Sequence, residues 1–132
     1  MSLKITLKPN ERMIIGTAVV KNGNSTVNLY VENNVPLLRE KDILGEADAT
    51  TVCKRIYFAI QLMYVDSDNI SVYQKAYEEL TGAVLAAAPS TKDLVGQISE
   101  AIAAAKYYPA LKLARQLVEY EERVITTAAD PA

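Results

Sequence analysis

Two hydrophobic periods divide this chain near Gly45. Before it apolar and polar residues alternate one for one; after it apolar residues return every three or four positions. Leu3, Ile5 and Leu7 alternate with Lys4, Thr6 and Lys8, which predicts a strand with one wet face. Pro9-Asn10 closes that run, because proline has no N–H for a ladder and asparagine tolerates turn geometry. Arg12 to Ile15 and Thr17 to Val20 read as two further strands parted by Gly16, a bend or bulge. Asn22-Gly23 is the strongest hairpin signal in the sequence. Val27, Leu29 and Val31 then alternate with Thr26, Asn28 and Tyr30, and Glu32-Asn33-Asn34 turns the chain into a fifth strand, Val35 to Arg39. Short strands at this spacing predict a small barrel or sandwich.

Beyond Gly45 the period is helical. Thr50 or Thr51 caps a first helix whose apolar face is Val52, Ile56, Ile60 and Met63, flanked by Cys53, Tyr57 and Tyr64. Asp66 to Asn69 ends it and starts a second, with Tyr73, Ala76, Tyr77, Leu80, Val84 and Ala87 facing inward. Pro89 stops that helix, and Ser90 with Asp93 reads as a capping box for the third. Pro109 opens the fourth, whose expected face is Leu113, Leu117, Tyr120 and Val124, with Leu111, Val118 and Ile125 adjoining, fraying from Thr126 to Ala132. The expected class is α+β: a small N-terminal antiparallel β unit of about five short strands, residues 1–45, then a four-helix region, residues 46–132. So few strand residues are marginal alone, so the β unit is expected to pack on the helices or to form a homodimer with another copy. The alanine clusters at 86–88 and 103–105 permit close helix approach.

Composition then narrows the chemistry. The 132 residues contain no histidine, no tryptophan and a single cysteine. Without histidine there is no His-based general base and no Ser-His or Cys-His dyad, so the chain is not expected to be an enzyme or to need a cofactor or metal. Cys53 sits among apolar neighbours, while Lys54 and Arg55 project elsewhere on the helix, so a buried structural thiol is expected. Asp66, Asp68 and Asn69 resemble part of a calcium loop but lack its glycine and distant glutamate, which leaves a helix–helix turn. No apolar leader opens the chain, and Ile56 to Val65 is too short to span a bilayer, so no membrane association and a cytoplasmic location are expected.

Charge changes the picture once it is divided. The net charge is -2 overall. Residues 1–45 carry six basic and four acidic groups, net +2, whereas residues 46–132 carry eight basic and twelve acidic groups, net −4. A basic excess on a strand-rich unit suits a polyanion, although exposed lysines also serve solubility. Of the nine aromatic residues only Tyr30 lies in the β unit, so contact with RNA is expected through basic side chains and backbone, without a stacked-base sheet. Arg39 at the end of the fifth strand has two readings: a fork for a base edge or phosphate, or an ion pair with Glu40, Asp42 or Glu32.

Leu3 to Arg12, Asn22-Gly23, Leu37 to Leu44, and Arg55 to Phe58 with Gln61 to Tyr64 resemble, in order and spacing, the FlbT family of flagellar biosynthesis repressors. The resemblance implies a post-transcriptional regulator that binds the 5′ untranslated region of flagellin mRNA and controls its translation and decay. It also implies FlaF as a partner in the same pathway. The β unit is similar, more distantly, to the mRNA-leader binder CsrA at Leu3 to Leu7, Glu11, Ile15-Gly16 and Leu38 to Lys41. Carried over by position, that likeness implies RNA contacts at Lys4, Thr6, Lys8 and Arg39; the basic excess of the β unit adds Arg12 and Lys41 as expected phosphate neutralisers. Leu7 and Lys8 stand where CsrA has the basic residues that follow its first strand, and Leu38 stands where it has a histidine before the arginine. The competing expectation is a protein-binding adaptor whose acidic helices engage FlaF or flagellin, with indirect effects on mRNA.

Overall fold

The computed structural model describes residues 2–129, with side chains through Val124. It forms two compact units, Met1–Ile43 and Leu44–Ala132. The first holds β1 (Leu3–Leu7), β2 (Arg12–Ile15), β3 (Ala18–Lys21), β4 (Val27–Val31) and β5 (Leu37–Arg39). They make two antiparallel sheets, β1–β4 and β3–β2–β5. Alternation along β1 and β4 sends Ile5, Leu7, Val27, Leu29 and Val31 to one side, where they meet Met13, Ile15, Val20 and Leu37 of the second sheet. Two sheets closing over one apolar layer solve the problem that a two-stranded ribbon cannot solve alone.

The turns differ from the sequence expectation. Gly16, with φ of 61°, is neither bend nor bulge. It begins the two-residue Gly16-Thr17 hairpin between β2 and β3, whose last pair is Ile15 and Ala18. Glycine at the first central position suits the II′ turn that follows strand twist. Asn22-Gly23 makes no hairpin, because β3 and β4 belong to different sheets. The Asn22 amide instead donates to the carbonyls of Leu7 (3.3 Å), Lys8 (2.8 Å) and Ser25 (2.8 Å). It thereby satisfies main-chain acceptors where β1 runs out of ladder.

The second unit contains α1 (Val52–Val65), α2 (Ile70–Ala87), α3 (Lys92–Ala103) and α4 (Tyr107–Ala129). Thr51 is the cap of α1; its side chain accepts from the Lys54 N–H. Helix α1 packs against both α2 and α4, and α3 packs against α4. Burial therefore extends round α1 to Cys53, Tyr57, Ala59 and Gln61 beside the expected Ile56, Ile60 and Met63. Gln61 is polar yet buried because its amide exchanges two hydrogen bonds with Leu44, Nε2 to the carbonyl at 2.9 Å and Oε1 from the N–H at 2.8 Å. The buried stripe of α4 is Ala110, Leu111, Ala114 and Leu117, while Val124 is exposed. Small side chains facing the neighbours let the backbones approach, and this turns the helix away from the face that its larger residues suggested. Ile125 and the residues after it have no described side chains. Helix α4 continues through Thr126 to Ala129, where fraying was expected, and the rest of that expectation, residues 130–132, lies outside the described residues.

One further expectation fails locally. Ser90 makes no capping box: its hydroxyl meets the Tyr120 hydroxyl at 3.1 Å, and Lys92 opens α3 without a side-chain cap. Ala105 ends α3 in the left-handed region, with φ of 57°. The Lys106 N–H reaches back to Ala101 at 2.8 Å and that of Ala105 to Ile102 at 2.9 Å. Such an end favours glycine, since an L side chain there costs about 1–2 kcal/mol. Ala105→Gly is therefore expected to stabilise the protein by about 0.5–1 kcal/mol after the unfolded-state entropy of glycine is subtracted. Urea denaturation checks this, and a midpoint unchanged or lowered would contradict the assigned helix end.

Candidate functional site

The six basic or polar residues singled out in the β unit occupy three places. Lys4 and Thr6 lie on the exposed face of β1, opposite Tyr30 and Asn28 of β4 respectively. The Thr6 hydroxyl donates to the Asn28 side-chain oxygen at 2.8 Å. Lys8, Arg39 and Lys41 line an open cleft of about 500 Å³ with Pro9, Asn10, Glu11 and Glu40. Arg12 stands apart, paired across the second sheet with Lys21, and its N–H donates to Glu40 Oε1 at 3.3 Å.

The cleft is built by a turn and a clamp. Lys8-Pro9-Asn10-Glu11 closes with the Glu11 N–H on the Lys8 carbonyl at 3.1 Å. Pro9 suits the first central position, and Asn10 takes the positive φ of 63° required at the second. Glu11 Oε1 then accepts the Lys8 N–H at 2.9 Å. Glu11 Oε2 accepts Arg39 Nη2 at 2.9 Å and Nε at 3.3 Å. A further N–H of Arg39 Nη2 goes to the Thr6 carbonyl at 2.9 Å. Arg39 thus ties β5 in one sheet to β1 in the other. Its ion-pair partner is Glu11, not Glu40, Asp42 or Glu32 as its neighbours in sequence suggested. The Nη1 end of its guanidinium has no partner among the described residues.

The Lys8 N–H, then Arg39, hold the Glu11 carboxyl below the usual glutamate range. A lowered folded-state pKa means that the clamp contributes fully above the ordinary glutamate range and is lost as pH falls through the folded value. The thermal midpoint should therefore fall as pH drops through and below the ordinary glutamate value of about 4.3, and fall less in Glu11→Gln. Equal falls in both proteins would show that the clamp does not form.

Cys53 lies outside this surface. Glu121 of α4 accepts the Thr51 hydroxyl through Oε1 and the Cys53 N–H through Oε2 at 3.2 Å, placing a carboxylate at the N-terminus of α1. Burial, then the Glu121 charge, pushes the Cys53 thiol up to about 12. The thiol should resist thiol–disulfide reagents at about pH 8 in the folded protein and react on unfolding, which a colorimetric thiol assay follows; rapid native labelling would contradict its burial. Beside it, Val52, Val84, Ala87, Tyr120 and Val124 help to wall an apolar pocket of about 230 Å³. Among the described residues no three His, Cys, Asp or Glu side chains gather as a metal site, and no helix is long and apolar enough to cross a membrane.

Glu11, Asn28 and Tyr30 were not among the site residues expected from sequence. Alternation along residues 26–31 put Asn28 and Tyr30 on one side of a strand. The register that sets them against Thr6 and Lys4 pairs strands twenty-odd residues apart, and no turn between those strands announces it.

Similarity places this geometry in a known family. The family model described as flagellar protein FlbT matches residues 3–125. A probable flagellum biosynthesis repressor protein FlbT of Bradyrhizobium diazoefficiens is 39% identical over 94% of this chain and 85% of its own length. One from Rhodopseudomonas palustris is 36% identical over 96% of this chain and 99% of its own. The flagellum biosynthesis repressor protein FlbT of Caulobacter vibrioides is 37% identical over 92% and 88%. No solved structure gives a significant match. A match across nearly the whole length, both units included, makes this chain a member of the FlbT family of flagellar proteins.

Proposed function

We propose that this protein is a cytoplasmic post-transcriptional regulator of flagellin synthesis that binds the 5′ untranslated region of flagellin mRNA and controls its translation and decay. The relatives carry the name of flagellum biosynthesis repressors, which supports a regulatory role. The observation that carries the RNA reading is the exposed ridge Lys4–Thr6–Lys8, continuous through the Thr6 carbonyl with Arg39 and the cleft that holds Lys41. Lys4, Lys8, Arg12 and Lys41 neutralise phosphates. Arg39 is already engaged by Glu11 and Thr6, so it offers a phosphate its free Nη1 edge and otherwise keeps the ridge and cleft in register.

A second reading rests on the apolar pocket in the helical unit: an adaptor that takes an apolar side chain of FlaF or flagellin between α1, α2 and α4, with indirect effects on mRNA. Pull-down of FlaF and flagellin with and without RNase separates the two, since partner capture without direct RNA binding favours the adaptor. A homodimer through the β unit is compatible with either.

Gel shifts with purified protein and a flagellin leader test the RNA reading. Affinity should fall with salt along a log–log slope no steeper than about −3.5, the limit for five basic groups on a single strand. Lys4→Ala with Lys8→Ala should make the slope shallower by about 1.4. No direct binding, or an affinity and slope unchanged in the double variant, would remove this surface from consideration.

A further inference from the structure

We propose that Tyr30 and Asn28 of β4 form a seat for one unpaired base of a single-stranded RNA, with Lys4 taking the adjoining phosphate. The seat rests on the RNA reading given above and adds the part that distinguishes one strand from another.

Tyr30 is 61% exposed and is the sole aromatic residue of the β unit. It stands on the polar face of β4, directly across from Lys4, while Asn28 stands across from Thr6. Opposed residues in an antiparallel pair lie about 5 Å apart, and neighbours on one face of a strand about 7 Å apart. The four side chains therefore make a compact patch, with a ring, an ammonium and an amide within reach of one nucleotide. The ring can stack on any base, because every base presents a π face. Selection falls to the amide. Thr6 donates to Asn28 Oδ1, which holds that amide in place and leaves its NH₂ group and the second lone pair of its oxygen for a base edge. Among the described residues neither the Lys4 ammonium nor the Tyr30 hydroxyl has a hydrogen-bond partner, so both groups remain available.

Charge sets the direction of the strand. Lys4 lies on the exposed face of β1 and Lys8, also exposed, directly follows the strand, about 14 Å away along an extended chain. Glu32, two residues beyond Tyr30, is exposed and repels phosphate at the other end. The backbone of the RNA accordingly runs from Lys4 toward Lys8 and the cleft. An RNA duplex cannot use the seat, since its bases are stacked and paired.

The chain has no tryptophan, so Tyr30→Trp gives the full-length protein a single indole at the seat. Titration with a single-stranded leader segment should quench that emission, with a midpoint equal to the gel-shift affinity, and the same segment annealed to its complement should not. Tyr30→Ala should weaken binding about 5- to 100-fold with an unchanged salt slope, because stacking neutralises no phosphate, and Tyr30→Phe should stay within about twofold of wild type. Asn28→Ala should reduce discrimination between leaders that differ by one base in the bound loop. Wild-type protein that binds the leader while Tyr30→Ala binds equally well overturns the seat and leaves the RNA reading standing. Wild-type protein that binds no RNA overturns both. Emission that changes with protein concentration in the absence of RNA assigns the patch to a second copy of the chain and overturns the seat, as does equal quenching by the duplex.

Discussion

The β unit depends on what happens between Lys8 and Arg12, where the chain leaves one sheet and enters the other. Backbone at such a crossing has no ladder to join, and its polar groups need partners from elsewhere. Glu11 closes the turn on the Lys8 N–H, Arg39 bridges from β5 to Glu11 and to the Thr6 carbonyl, and the Asn22 amide takes the carbonyls of Leu7 and Lys8. These side chains come from three separate stretches of sequence. Together they hold two sheets, each short and few-stranded, in one register over the shared apolar layer.

That clamp also decides which side chains face outward free of commitments. Arg39 would read as the best nucleic-acid contact on chemistry alone, yet most of its donors are engaged inside the unit. With Arg39 anchored, the exposed side of β1 and β4 becomes the surface whose lysines, amide and ring are presented together. The clamp formed by Arg39 and the exposed face of β1 are linked through a single main-chain carbonyl, that of Thr6.

The helical unit follows a different logic. Helix α1 is buried nearly all round, so polar groups at its borders must be matched one for one. Glu121 serves the Thr51 hydroxyl and the Cys53 N–H, and Gln61 serves Leu44. Burial, and after it the charge of the same carboxylate, raises the pKa of the lone thiol, which turns the most reactive side-chain type in the chain into an inert core residue.

The two hydrophobic periods alone placed five strands before four helices and gave most strand and helix limits to within a residue or two, because backbone geometry imposes the periods on any half-buried element. Absence of histidine and the solitary buried cysteine likewise followed from composition and helical position. Pairing did not follow. Asn22-Gly23 looked like the hairpin and Gly16 like a bulge, since both have local turn propensity, and the choice between them lay in which strands shared a core. The inward face of α4 misled for a related reason: large apolar residues dominate a hydropathy pattern, whereas close packing against α1 and α3 favours Ala110 and Ala114. Ion pairing misled too, because Arg39 has acids beside it in sequence and takes Glu11, twenty-eight residues away. Local periodicity and composition are properties of short windows and can be read there; register, clamp and exposed patch join distant segments, and only the tertiary structure brings those segments within hydrogen-bonding distance.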